Sequence, residues 1–443
     1  MQQRDGGRRP NIVFVFSDQH RARTTGFGGA RVHTPVMDRM AAEGVVFDTA
    51  VSNIPVCTPW RAALLTGQYP LTNGLFLNDL RLPTDRPTLG TILGAAGYAT
   101  AYIGKWHLDG NRRGAFTPPG PRRQGFSFWA AANCTHDYLR SFYYRDTPER
   151  LWWDGYDAAA QTDMAVDYIA ARPADVPFAL VLSWGPPHNP YRDVPSHYLD
   201  RYPAADVEVP ANCPDPVRED LAGYCAHVTA LDEQLARIVA AIDAAGLRDD
   251  TILVYTSDHG DMLGSQGVTR KQHPWDESIR VPFLLRCPDQ AGRGRHLSFP
   301  FGVVDILPTL LGLAGVPIPD SVEGCDVSPA IRGEPFAEPE LALTMCIAPF
   351  AEYVGAPWRG VRSARYSYAR WLDGRGILYD TAADPDQLDN RYGSRSHAAL
   401  QRRLEDAMQQ LLAERGDRFL PAAHYVERYG FTVDERGAVP FSL

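Results

Sequence analysis

The sequence predicts an α/β protein: a large mixed, mostly parallel sheet with helices on both faces, then a small C-terminal antiparallel sheet with a helix. Three observations predict it. Short, nearly unbroken apolar runs alternate with amphipathic stretches over the first two-thirds of the 443 residues, and unbroken apolarity is what a strand needs when both of its faces are covered. Several of those runs are followed at once by polar residues able to do chemistry. After about residue 340 the texture changes to an alternation rich in Arg and Tyr.

Residues 12–16, 99–103, 178–183, 252–256 and 281–286 read as strands of the large sheet. The clearest helix spans 217–245. Its residues Leu221, Tyr224, Val228, Leu231, Leu235, Ile238 and Ile242 recur at three- and four-residue steps, and Gly246 closes it. Cys225 lies on its apolar side as a small core residue. Beyond it, residues 359–371 read as one alternating strand, 376–380 as a second, and 396–414 as an amphipathic helix. A catalytic unit over 1–340 and a C-terminal α+β subdomain over 341–443 are expected, with no internal repeat and no low-complexity linker.

Composition narrows the function. Hydrophobic content of 44% and charged content of 22% are those of an ordinary globular protein. A net charge of -9 with no basic run excludes a nucleic-acid binder, but not an anionic substrate, because a few local cations and a metal can reverse the field inside a pocket. No apolar run approaches the ~20 residues that a membrane span needs. The opening residues Met1 to Pro10 are polar and basic, and the apolar run behind them is too short for a signal peptide, so a cytoplasmic address is expected. Seven cysteines, at 57, 134, 213, 225, 287, 325 and 346, form no C-x-x-C pair, which argues against a zinc site or a disulfide framework.

Four polar clusters follow strands: Ser17-Asp18-Gln19-His20, Gly104-Lys105-Trp106-His107, Trp184-Gly185-Pro186-Pro187-His188 and Ser257-Asp258-His259-Gly260. Ligands of open α/β sheets sit at the carboxyl ends of strands, so these clusters are expected to converge on one crevice. Cys57 lies just before a helix, with Thr58 as its N-cap and Pro59 in the first turn. Free N–H groups at such a start favour an anion, and Arg61 follows one turn on. The carboxylates of Asp18 and Asp258 suit a hard divalent cation, while His259 leaves room for manganese or zinc.

Cys57-x-Pro59-x-Arg61, followed by Thr66-Gly67, resembles the signature of the formylglycine-dependent sulfatases of the alkaline phosphatase superfamily. Matching phrases run from Asn11 to Pro282, with an echo at Leu378-Tyr379-Asp380 and Asp384-Pro385. The resemblance implies an alkaline-phosphatase-like fold and a Cys57 oxidised to formylglycine by the formylglycine-generating enzyme. One hydroxyl of the hydrated aldehyde attacks sulfur and the other expels the product. It implies a divalent metal, calcium first, held by Asp18, Asp258, His259 and the modified Cys57, with Gln19 as a further candidate. Asp258 also assists deprotonation of the attacking hydroxyl. Arg61 braces the aldehyde; Lys105 holds the nucleophilic hydroxyl and a sulfate oxygen; His107 takes the proton of the second hydroxyl. His188 and Lys271 contact the sulfate, one of them protonating the departing oxygen, and Asn78 lies near the substrate.

The chain departs from the commoner pattern at Trp60, Gln19 and His259, where serine, aspartate and asparagine are usual; the Asp-Gln and Asp-His forms occur in the choline-sulfatase and phosphonate-monoester-hydrolase branches. The reaction implied is hydrolysis of an aryl or carbohydrate sulfate ester, or of a sulfamate. The alternative enzyme is a phosphonate monoester or phosphodiester hydrolase, against which stand Lys105 and His107, which that branch tends to replace. The alternative outside catalysis is a binding protein that keeps Cys57 as a thiol, against which stands the occupation of every expected polar position. Trp106, Trp152, Trp153, Trp184 and Tyr191 either line the pocket or pack in the core. Loops 109–160 and 189–216 carry no motif that names the substrate, and nothing specifies the oligomeric state.

Overall fold

The computed structural model describes residues 9–172, 175–215, 217–288, 291–351 and 355–442. Its main sheet contains eight strands: β1 (Asn11–Asp18), β2 (Val45–Val51), β3 (Ala99–Lys105), β4 (Phe128–Ala132), β7 (Phe178–Pro187), β8 (Thr251–Ser257), β9 (Phe283–Arg286) and β10 (Arg295–Gly302). A two-stranded ribbon, β5 (Phe142–Tyr143) with β6 (Leu151–Trp152), is tied to β4 by the antiparallel bridge between Ala131 and Tyr144. The spatial order is β10-β2-β9-β8-β1-β7-β3-β4. Every neighbouring pair is parallel except those made by β9, which runs antiparallel to both β2 and β8.

The apolar run of β1 explains its central place. Ile12, Phe14 and Phe16 enter one core with the helices Cys57–Thr66 and Val303–Ala314; Val13 and Val15 enter the other with Asp157–Ala171 and Arg218–Ala244. Successive side chains of a strand point to opposite faces, so a strand between two helical layers must be apolar at every position. The long helix expected at 217–245 is Arg218–Ala244. No helix among the described residues is long and apolar enough to cross a membrane.

The C-terminal sheet is an antiparallel meander of β11 (Ala342–Cys346), β12 (Trp358–Arg362), β13 (Tyr366–Trp371) and β14 (Gly376–Asp380). The stretch expected as one strand over 359–371 is therefore a hairpin. Ser363 makes the turn: its N–H donates to Tyr366 O at 2.9 Å, and its Oγ accepts from the Tyr366 N–H at 2.7 Å. That turn has neither glycine nor proline, so the alternation ran through it unmarked. Helix Ala398–Glu414 covers the meander with Leu404, Met408 and Leu412, which join the same core as Phe14 and Leu343. β2, β4, β10 and β11 lay outside the sequence expectation; β10 opens with exposed Arg295 and His296, which masks its apolar half.

Candidate active site

Strands β8, β1, β7 and β3 are consecutive neighbours in the sheet, so their carboxyl ends deliver Asp258, Asp18, His188 and Lys105 side by side. The last turn of β3 needs glycine. Gly104 has φ of +102°, and a Cβ there would meet Ser183 O at 2.1 Å, so the bend that turns Lys105 into the crevice is open only to that residue.

Cys57 is the first residue of its helix, and the N-cap is Val56, not Thr58. Val56 has no side chain able to cap, and Asn78 supplies the acceptor instead: its Oδ1 takes the Thr58 N–H at 3.0 Å. Thr58 is thereby freed to donate its hydroxyl to His107 O at 2.8 Å. One turn on, Arg61 is buried and reaches several strand ends. Its Nη1 donates to Lys105 O at 2.6 Å and Ser183 Oγ at 2.8 Å; its Nη2 lies 3.2 Å from Asp18 Oδ2 and 3.4 Å from Asp258 Oδ2.

The Cys57 thiol stands at the centre. Its Sγ is 3.6 Å from Asp18 Oδ1, 3.3 Å from His259 Nε2 and 3.1 Å from Lys271 Nζ. Burial and Asp18 oppose its ionisation, yet Lys271, Lys105 and His259 hold the thiol well below its ordinary value. Asp18, Cys57, Asp258 and His259 each present a ligand atom within 4.8 Å of the others, and all four residues are buried. Such a cage fits a divalent cation. Burial, then the charge of Asp18, pushes Asp258 up to about 6, while Asp18, opposed by burial, is held low by Lys105, Lys271 and His259. Two carboxylates share a space where only one ionises freely, and a bound cation removes that conflict. Gln19 borders the cage: its Nε2 donates to Asp261 Oδ2 at 2.6 Å, and its Oε1 is buried with no hydrogen-bond partner.

Lys105 Nζ donates to Asp18 Oδ2 at 2.7 Å. Lys271 Nζ lies 2.9 Å from His188 Nε2, and His188 Nδ1 lies 2.8 Å from Asn189 O. Burial first, then Lys271 and His136, keep the His188 imidazole well below its ordinary pKa and hence neutral. The carbonyl of Asn189 can only accept, so Nδ1 carries the proton and Nε2 accepts from Lys271. His107 has φ of +54°, its Nε2 is 3.1 Å from Asp79 Oδ1, and its Nδ1 is buried without a partner. Burial opposes its charged form, but Cys134, Asp79 and Cys57 raise it to about 10.

Asp79, Arg113, Cys134 and His136 escaped the sequence reading. Asp79 is fixed by Arg113, whose Nε and Nη2 donate at 2.8 and 2.7 Å. His136 stacks on His188 with ring centroids 4.3 Å apart and planes 5° from parallel, and its Nε2 is 3.3 Å from Lys105 Nζ. Cys134-Thr135-His136 follows β4 just as the other clusters follow their strands, so recognising β4 would have found it. Of the five aromatic residues left open, Trp106, Trp153, Trp184 and Tyr191 are buried and only Trp152 is exposed.

Known proteins match this chain over its length. The sulfatase family model covers residues 10–316, and the model of the C-terminal part of N-sulphoglucosamine sulphohydrolase covers 264–414. An ulvan-active sulfatase of Formosa agariphila is 42% identical, over 100% of this chain and 88% of its own. An endo-4-O-sulfatase of Bacteroides thetaiotaomicron is 28% identical over 86% of this chain and 87% of its own. Among solved structures, one from a Bacteroides thetaiotaomicron locus for the metabolism of multiple glycosaminoglycans superposes with a TM-score of 0.85 at 27% identity, covering 98% of this chain and all of that one. With the cysteine, the paired carboxylates and the lysines gathered at one sheet edge, and with these matches end to end, the chain belongs to the sulfatase family and is a sulfuric ester hydrolase.

Proposed function

We propose that the enzyme removes sulfate from a saccharide, an ulvan-type polysaccharide or its fragments first, through a formylglycine made from Cys57 and with calcium in the cage. The grouping around Cys57 carries this reading: the Asp18–Asp258–His259 cage and the Lys271–His188 pair reach its sulfur, and the Lys105 ammonium grips Asp18 beside it. The 42% identity to the ulvan-active sulfatase supports the saccharide class. Manganese or zinc is the alternative that the His259 nitrogen admits.

When bound, the cation acts as a Lewis acid toward sulfate and toward the attacking hydroxyl. Replacing the sulfur of Cys57 by the two oxygens of a hydrated aldehyde also turns a soft donor into a hard one, which suits calcium. Lys105 and Lys271 hold sulfate oxygens from two sides, and Arg61 fixes the carboxylates and the strand ends around them. Asp258, pushed up by burial and by Asp18, is basic enough to assist deprotonation of the nucleophile. The proton for the departing oxygen resides on Lys271, which neutral His188 orients through Nε2. His107, held at Nε2 by Asp79, offers Nδ1 to the hydroxyl that must be deprotonated when sulfate leaves. Conversion of Cys57 also removes one of the two sulfur groups that raise His107, which favours the neutral imidazole needed there. Asn78 acts chiefly by capping the Cys57 helix, with its amide free to meet substrate.

The same proposal includes maturation by the formylglycine-generating enzyme, a cytoplasmic address, and a boundary near residue 340 between catalytic domain and C-terminal subdomain; fractionation of cells and limited proteolysis test the last two. The central experiment is mass spectrometry of the Cys57 peptide from a host able to convert it, with turnover of sulfated saccharides by the parent and by Cys57→Ala. Formylglycine is lighter than cysteine. An unmodified peptide in an active enzyme, unaltered turnover by Cys57→Ala, or preference for a matched phosphate diester would each refute the reading.

A further inference from the structure

The ribbon β5–β6 carries a feature that the chemistry of the sulfate does not use, and its interpretation rests on the saccharide reading above. Trp152 on β6 is 53% exposed and Leu139, just before β5, is 42% exposed. Phe142 pairs with Trp152 across the ribbon and meets its ring edge-on, centroids 6.0 Å apart at 70°, which holds the indole upright. The guanidinium carbon of Arg140 lies 5.7 Å from the Trp152 ring centroid, and among the described residues no carboxylate pairs with it.

This ribbon is joined to the catalytic crevice at two points. Phe142 and Trp153 line a small cavity together with Lys105 and Thr135, so the inner side of the ribbon rests beside the lysine that grips Asp18. On its other side the chain runs back from Leu139 to His136, whose ring lies flat on His188 of the leaving-group pair. Arg140 thus follows His136 by four residues, and Trp152 sits between the cavity-lining Trp153 and its cross-strand partner Phe142. A flat aromatic surface suits the apolar C–H face of a sugar ring, and a guanidinium without a carboxylate partner suits a uronate or a second sulfate, which it can grip with two parallel N–H donors.

We propose that Arg140 and Trp152 form a subsite for an anionic sugar residue adjacent to the one whose sulfate is cleaved, which gives the enzyme a preference for oligosaccharides over small sulfate esters. The test compares the parent, with Cys57 converted, with Trp152→Ala, Trp152→Phe and Arg140→Gln on two substrates: a sulfated uronate-containing tetrasaccharide and its matched sulfated monosaccharide. Loss of either contact is expected to lower kcat/KM on the tetrasaccharide about tenfold, mainly through KM, with the monosaccharide changed by less than about twofold and Trp152→Phe retaining most of the activity. Equal losses on both substrates, no loss on the tetrasaccharide, or a parent enzyme that cleaves only the monosaccharide overturns the subsite. A parent that cleaves neither overturns the saccharide reading itself, and the subsite falls with it.

Discussion

Replacing Lys271 by alanine removes the group that touches both the nucleophile position and the leaving-group histidine, at 3.1 Å from Cys57 Sγ and 2.9 Å from His188 Nε2. His188 cannot take over as acid: even without the Lys271 charge, burial and His136 still keep it low, and its one proton is directed at Asn189 O. A positioned general acid contributes about 10²–10⁴-fold in rate, or roughly 3–5 kcal/mol of barrier. All of that is needed when a sugar alkoxide departs; little is needed for a nitrophenolate, already a stable anion. Lys271→Ala is therefore expected to lower kcat about 10²–10³-fold more on a sulfated monosaccharide than on 4-nitrophenyl sulfate. Its loss also removes a positive charge that helps to hold Asp18 low, but this acts on both substrates alike, so the ratio isolates the proton. Steady-state rates on both esters, with metal content measured in parent and variant, decide the matter. Equal losses on the two substrates at unchanged metal content would refute the assignment of the acid.

Two further outcomes are expected. Asp79→Asn removes one charge-assisted hydrogen bond from His107, worth about 1.5–3 kcal/mol, so kcat is expected to fall roughly 10–150-fold with little change in KM. The pKa of His107, now raised to about 10, is expected to move down, and a pH–rate profile reads this directly. Because that pKa is raised, the stability it contributes is present below about 6.5 and lost as pH rises through 10, so the variant should lose more Tm at pH 7 than at pH 10.5. His227, packed behind the His188 segment against Tyr138 and Pro190 O, works with the opposite sign. Burial outweighs its bond to Pro190 O and depresses it to about 3, so the unfolded chain binds a proton that the folded one refuses. Between pH 6.5 and 5 this should cost the parent about 1.6 kcal/mol that His227→Gln does not lose. Denaturant midpoints at the two pH values test it, and parallel slopes for parent and variant would contradict the mechanism.

Much of the fold and site was legible because two physical rules leave marks in sequence. A strand covered on both faces must be apolar throughout, which exposed β1, β3, β7 and β8. Chemistry at strand ends places polar clusters directly behind those runs, which exposed Asp18, Lys105, His188 and Asp258. The unread parts lack such marks. β4 and β11 are short and rich in Ala or mixed residues, and β10 is half exposed. Missing β4 hid Cys134 and His136, which belong to the crevice by position. Asp79 and Arg113 act through His107 from a loop, and a pair of opposite charges separated by 34 positions carries no local pattern. The helix cap was misassigned for a similar reason: a capping oxygen normally comes from the N-cap residue, but here it arrives from Asn78 across a loop.

The net charge of -9 is distributed against this local need, and Arg61 is what reconciles the two. Within the crevice three cations, Arg61, Lys105 and Lys271, face two carboxylates, and a divalent cation in the cage would leave an excess of positive charge for a sulfate anion. Charge alone does not give catalysis, since groups that must reorganise during the reaction lose their advantage. Arg61 prevents that reorganisation: it is buried, lies over the Phe16 ring at 4.9 Å and bonds Lys105 O, Ser183 Oγ, Asp18 and Asp258 at once. Those partners come from the ends of β3 and β1, from the middle of β7 and from just beyond β8. One turn of helix separates Arg61 from Cys57, so the nucleophile is held to the sheet edge by the same guanidinium that holds the cage. Spacing within the C-x-P-x-R phrase therefore has a mechanical meaning: four residues along a helix return to the same face, putting the reactive side chain and its anchor on one side of the crevice.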